Sequence, residues 1–190
     1  MPHHSDRESV IEATRRWLEK AVIGLNLCPF AGVPWRQGRV RMQVSEATSL
    51  QQLAEDLSDA LLALNEADPA ACETTLLIHP HVLGDFLDYN DFLDIADGLL
   101  EQLELDGILQ VASFHPDYRF ADSRPGDPAN CTNRSPYPML HLLREASIEA
   151  ATANHPDPDA IYQRNIETLR ALGVEGWQDL IWGDETRIKG

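Results

Sequence analysis

Cysteine is scarce in this 190-residue chain: Cys28, Cys72 and Cys131 are the three present, and no two form a CxxC pair. An odd number at such spacings argues against a disulfide framework and a cysteine-rich zinc module, so three reduced thiols are expected. Basic residues are also few, 15 Lys and Arg against 31 Asp and Glu, giving a formal charge of −16. Nucleic-acid partners require a basic face, which makes DNA and RNA unexpected ligands. No apolar run approaches the roughly 20 residues needed to cross a bilayer, so no membrane span is expected. Residues 1–8 are polar and lack the apolar segment and small-residue cleavage site of a secretory signal, which points to the cytoplasm. No Pro/Gly/Ser-rich linker and no internal repeat divides the chain, and residues 1–190 are expected to form a single α/β domain.

What is present is an ordinary globular balance, 43% hydrophobic and 24% charged residues, sufficient for a core. Ser5 or Asp6 can cap a first helix reaching about Ile23, with Val10, Ala13, Trp17 and Ala21 on one face. Two prolines and a glycine make residues 26–34 a structured loop. Residues 40–44 alternate as a strand, and Ser49 opens a helix with leucines at positions 50, 53, 57, 61 and 64. Residues 74–79 form a second strand stopped by Pro80, residues 89–103 a helix, and residues 109–115 a third strand stopped by Pro116. Strands joined through helices are usually parallel, so the expected core is a small three-stranded, mainly parallel sheet flanked by helices. Residues 116–136 lack periodicity and form a long loop, a class of segment that is often functional. Ser135-Pro136 suits a helix start, with Leu140, Leu143 and Ile148 following, and a last helix runs from about Asp157 to Gly173. The C-terminal part is therefore expected to be helical.

Several motifs carry a family resemblance: Asn26-Leu27-Cys28-Pro29-Phe30-Ala31, Ala112-Ser113-Phe114-His115-Pro116, and Asn133-Arg134-Ser135-Pro136-Tyr137-Pro138 followed by His141-Leu142-Leu143-Arg144-Glu145. Together with Thr74 to Pro80 and Phe86-Leu87-Asp88-Tyr89-Asn90, they resemble the DUF1415 family over nearly the whole chain. That family is a domain of unknown function, so the resemblance implies no activity, cofactor or catalytic residue.

Three constellations could carry chemistry. His79 and His115 end strands whose C-terminal ends would share one sheet edge, the usual ligand edge of open α/β folds. His141 and Glu145, four apart on the expected helix, would add a nitrogen and an oxygen. His79, His115, His141 and Glu145 would then suit Zn²⁺ or Fe²⁺, and a bound Zn²⁺ could supply hydroxide. The competing structural roles are a strand-ending histidine and a helix histidine bonded to a carbonyl. Second, Cys28 and His115 could form a thiol–imidazole pair, with Glu145 a further candidate catalytic residue; an inert buried thiol is the alternative, because Cys28 follows a helix C-terminus. Third, Asn133, Arg134 and Ser135 at a helix start, with Tyr137 beside them, could hold a small anionic ligand, or simply cap the helix. The functional expectation is an enzyme acting on a small anionic molecule at a His/Glu metal site; a non-catalytic metabolite- or protein-binding domain and a Cys28/His115 thiol enzyme are the alternatives.

Overall fold

The computed structural model describes residues 7–154 and 157–183, so the expected first cap at Ser5 or Asp6 lies outside the described residues. The chain opens with α1 (Arg7–Trp17), which passes directly into a π-helical segment, Leu18–Ile23. There Gly24 N–H reaches back to the Glu19 carbonyl, five residues away, widening the turn. The segment ends before Asn26, whose φ is 53°. The loop then contains a short helix, α2 (Gly32–Arg36), which tolerates Pro34 because the first turn needs no internal N–H donor.

β1 (Val40–Val44), α3 (Leu50–Glu66), β2 (Thr74–Ile78), α4 (Phe86–Gln102) and β3 (Leu109–Phe114) follow in the expected order. Ser49 caps α3 by accepting the Gln52 N–H at 3.3 Å. Asp85 caps α4 through Leu87 and Asp88 N–H; that cap starts the helix three residues earlier than its apolar periodicity suggested.

The largest departure lies after the long loop. Residues 139–144 form a fourth strand, β4 (Met139–Arg144), not a helix. The sheet therefore has four strands in the order β1-β2-β4-β3, where three were expected. β1 and β2 pair in parallel, while β4 lies antiparallel to both β2 and β3. The expectation of a mainly parallel sheet is thus corrected: β1, β2 and β3 do point the same way, but β4 is inserted between the last two and makes most pairings antiparallel. A run of Met and Leu on both faces, broken only by His141, has no period that distinguishes strand from helix. Two helices complete the chain, α5 (Glu145–Ala153) and α6 (Pro158–Trp182). Gly173, with φ 73° and ψ 170°, breaks α6 but does not end it, so the helical stretch extends past the expected stop.

Strand alternation assigns each side chain to a face. Leu77, Leu109, Leu140 and Leu142 join Leu53, Leu57, Leu61, Tyr89 and Phe92 in a core between the sheet, α3 and α4. On the other face Val44, Leu76, Ile78 and Met139 meet Trp17, Val22, Leu169 and Trp177 of α1, the π segment and α6. Helices cover this second face at the C-terminal ends of β1 and β2 and leave its other half less filled. Among the described residues no helix is long and apolar enough to cross a membrane.

Candidate functional site

On the less covered half lies a cavity of about 840 Å³, within the range of small-molecule sites. Its floor is sheet: Thr74 and Leu76 of β2, His141 and Leu143 of β4, Gln110, Ala112 and Phe114 of β3. One wall comes from the π segment and the loop after it, through Leu18, Val22, Cys28 and Phe30, and another from α5, through Ser147, Ile148 and Ala151. The register explains the floor, since Ala112, His141 and Leu76 are aligned across three neighbouring strands. Ala112, small at the outer end of that row, leaves room that a larger residue would fill. α5 contributes no buried residue, so its contact face looks onto the cavity instead of a packed core.

At the centre of the floor His141 is held by Thr74. The Thr74 hydroxyl oxygen is 2.8 Å from His141 Nε2 and 2.6 Å from the Leu142 carbonyl oxygen. Removal of the ring from water pushes the His141 pKa down to about 4, leaving a neutral imidazole at pH 7. Cys28 is partly exposed. Burial raises its thiol pKa, against a smaller opposing pull from the Phe30 and Ala31 backbone N–H groups, so the thiol stays protonated at neutral pH. At the rim, Arg39 is tied to Glu73 at 2.6 Å, to the Pro69 carbonyl and to Gln37.

The expected metal set is divided by the sheet. His79 and His115 do share the edge at the C-terminal ends of β2 and β3, but both are fully buried on the α3/α4 side, with Tyr89 between them at ring distances of 5.8 and 5.0 Å. His115 accepts Asp117 N–H at Nδ1 and donates from Nε2 to the Leu83 carbonyl; both nitrogens are therefore engaged. His79 donates from Nδ1 to the Val82 carbonyl, and its buried Nε2 has no partner among the described residues. His141 faces the opposite side. Glu145 begins α5 and stands four residues from His141 along extended chain, roughly 13 Å at strand rise, where a helix would have put them on one face. Among the described residues no group of three His, Cys, Asp or Glu side chains is placed to hold a metal ion.

The thiol pair is separated for the same reason: Cys28 lines the cavity, while His115 lies beneath the other face. The expected anion site loses its helix, because Ser135-Pro136 leads into β4. Asn133 donates its side-chain N–H to the Ser113 carbonyl, Arg134 donates to the Tyr118 and Pro125 carbonyls, and Ser135 donates to the Tyr137 carbonyl. Tyr137 packs edge-on against Trp182. These residues secure the long loop. Asn130 completes that work, accepting Phe120 N–H and the Ser123 hydroxyl while donating to the Arg124 carbonyl. None of residues 116–136 lines the cavity.

Of the expected site residues, Cys28 and His141 meet in one cavity. Trp17, which also lines the cavity, and Thr74, Gln110, Ala112 and the face of α5 were not foreseen. A legible hint was available for Thr74 and Gln110, polar residues in strands that are otherwise largely apolar.

The chain belongs to the DUF1415 family, described as a protein of unknown function, whose family model matches residues 9–179. No curated protein and no solved structure matches the chain.

Proposed function

We propose that this protein binds a small, largely apolar molecule in the cavity between the open half of the sheet, the π segment and α5. The observation that carries this is the floor itself: strand positions that would normally be sealed by a helix instead line about 840 Å³ of space with one oriented polar ring at the centre. Apolar walls with few fixed polar groups are the usual composition of a ligand site. The groups able to react are held in quiet forms, a protonated thiol at Cys28 and a weakly basic imidazole at His141, which favours binding over the metal-assisted or thiol chemistry the motifs suggested.

The test is Ala112→Leu, which adds bulk to the floor without adding charge. Ligand-observed NMR on a collection of small apolar metabolites should find binders for the native protein and none for the folded variant. Equal binding to both proteins, or no binder for either, would end this reading.

A further inference from the structure

We propose that the cavity selects an uncharged ligand bearing a hydroxyl or N–H, whose proton is accepted by Nδ1 of His141. This rests on the cavity-binding reading above and deepens it to a ligand class.

The tautomer follows from Thr74. A carbonyl oxygen only accepts, and a hydroxyl has one proton to give. With its oxygen 2.6 Å from the Leu142 carbonyl, Thr74 spends that proton there; its 2.8 Å contact with His141 must then be a donation from Nε2–H. An imidazole neutral at pH 7 and protonated on Nε2 carries its lone pair on Nδ1. Nδ1 makes no hydrogen bond among the described residues and belongs to a ring that lines the cavity. The cavity floor therefore presents one fixed acceptor in mainly apolar surroundings.

Charged ligands of either sign lack a counterpart. An anion would meet the Nδ1 lone pair, and protonating the ring to receive it is opposed by burial. Arg39 is held by Glu73 and Pro69, and the Arg144 guanidinium is turned to the other face, bonded to the Leu64, Ala67 and Cys72 carbonyls. The formal charge of −16 adds a repulsive background. For a cation, Glu73 is the acidic side chain among the lining residues, and it is paired with Arg39. Removing an ion from water without a partner is costly, whereas a neutral donor loses less hydration and regains one oriented bond. Gln110 and Ser147 offer both donors and acceptors and so do not discriminate.

Three probes of one shape separate the possibilities: 2-naphthol, which donates; 2-methoxynaphthalene, which does not; and 2-naphthoate, an anion at pH 7.5. Calorimetric titration should give 2-naphthol an affinity about tenfold above the other two, the effect of one well-placed hydrogen bond. In His141→Phe that preference should vanish while 2-methoxynaphthalene still binds. Ring nitrogen NMR of the native protein gives a readout independent of the variant: the proton should reside on Nε2, and 2-naphthol should shift Nδ1. Equal or tighter binding of 2-naphthoate or 2-methoxynaphthalene, a preference that survives His141→Phe, or a proton on Nδ1 would overturn the donor-selective inference. Ala112→Leu still abolishing binding would in that case leave the cavity reading standing. Failure of all three probes to bind folded native protein would overturn both.

Discussion

The Phe114 N–H donates to the Tyr89 hydroxyl at 3.0 Å, and that hydroxyl passes its own proton to the Met139 carbonyl at 2.8 Å. Phe114 and Met139 are opposed in the β3–β4 register, so a helix side chain bridges two strands where the sheet approaches its edge. Tyr89 is fully buried, and burial raises its phenol pKa further above an already basic range; the hydroxyl remains a donor throughout the usable pH scale.

Tyr89→Phe should therefore strand a buried N–H and a carbonyl together, at a cost of about 1–3 kcal/mol. Urea denaturation should show a lower midpoint with an unchanged slope. An unshifted midpoint would mean that the strands close on each other once the hydroxyl is gone.

Arg144, partly buried, should prove more expensive to lose than a surface arginine normally is. One terminal nitrogen lies 2.7, 2.7 and 3.0 Å from the Leu64, Ala67 and Cys72 carbonyls, satisfying the end of α3 with a cation where the helix dipole favours one. Arg144→Met keeps most of the stem and removes the donors, and roughly 3 kcal/mol of stability should go with them. Hydrogen exchange should accelerate first in the last turn of α3; uniform acceleration across the protein would count against a capping role.

Acid should weaken the fold well above the carboxylate range. Desolvation is the main cause holding His79 and His141 down to about 4 in the folded protein, and it lowers His115 as well. An unfolded histidine titrates near about 6.5. Between those values the unfolded chain binds protons that the native one refuses, so stability falls as pH drops from about 6.5 to about 4 and levels off for these groups below that. The limiting slope is about 1.4 kcal/mol per pH unit for each histidine. Urea midpoints at pH 7.5, 6 and 5 should decline in sequence, and His141→Phe should decline less steeply. A parallel decline in both proteins would remove His141 from the explanation.

Cys28 should be the first thiol alkylated, because it is partly exposed while Cys72 and Cys131 are buried. With its pKa raised, it should nonetheless react with iodoacetamide at pH 7.5 more slowly than the same cysteine in urea. Saturating 2-naphthol should slow it further. Peptide mass spectrometry over a time course would reveal the order, and labelling of Cys28 as fast as an unfolded thiol would contradict the protonated state assigned to it.

Local signals were legible where one residue decided the outcome. Ser49 ahead of a leucine-spaced helix, the proline after each of β2 and β3, and the common direction of β1 to β3 could all be read from the chain. β4 could not, because Met139 to Leu143 are apolar apart from His141, and apolar residues on both faces erase the alternation that marks a strand. That one ambiguity propagated into the site. Read as helix, residues 141 and 145 share a face; as strand and helix start, they do not. Thr74 and His141, 67 residues apart, meet only after β4 is set beside β2, a long-range pairing that neither residue announces. The π segment was hidden for a different reason: its Leu, Ala, Val and Ile residues are compatible with an ordinary α-helix, and only tertiary packing selects the wider turn.

The placement of β4 also shapes how the protein comes into being. The strand that joins β2 to β3 is the last of the four to leave the ribosome. Until residues 139–144 have been synthesised, β1 and β2 can pair but β3 has no neighbour, and β2 and β3 each present an open edge beside apolar faces. Closing the sheet then requires Thr75 to find Leu142 across α4, β3 and the long loop, an ordering cost met before most of its contacts form. A chain cut anywhere in residues 116–136 is accordingly not a smaller version of this protein. The cut separates β1, β2 and β3 from the one strand that joins β2 to β3, leaving open edges suited to aggregation, and takes His141 and Leu143 out of the cavity floor.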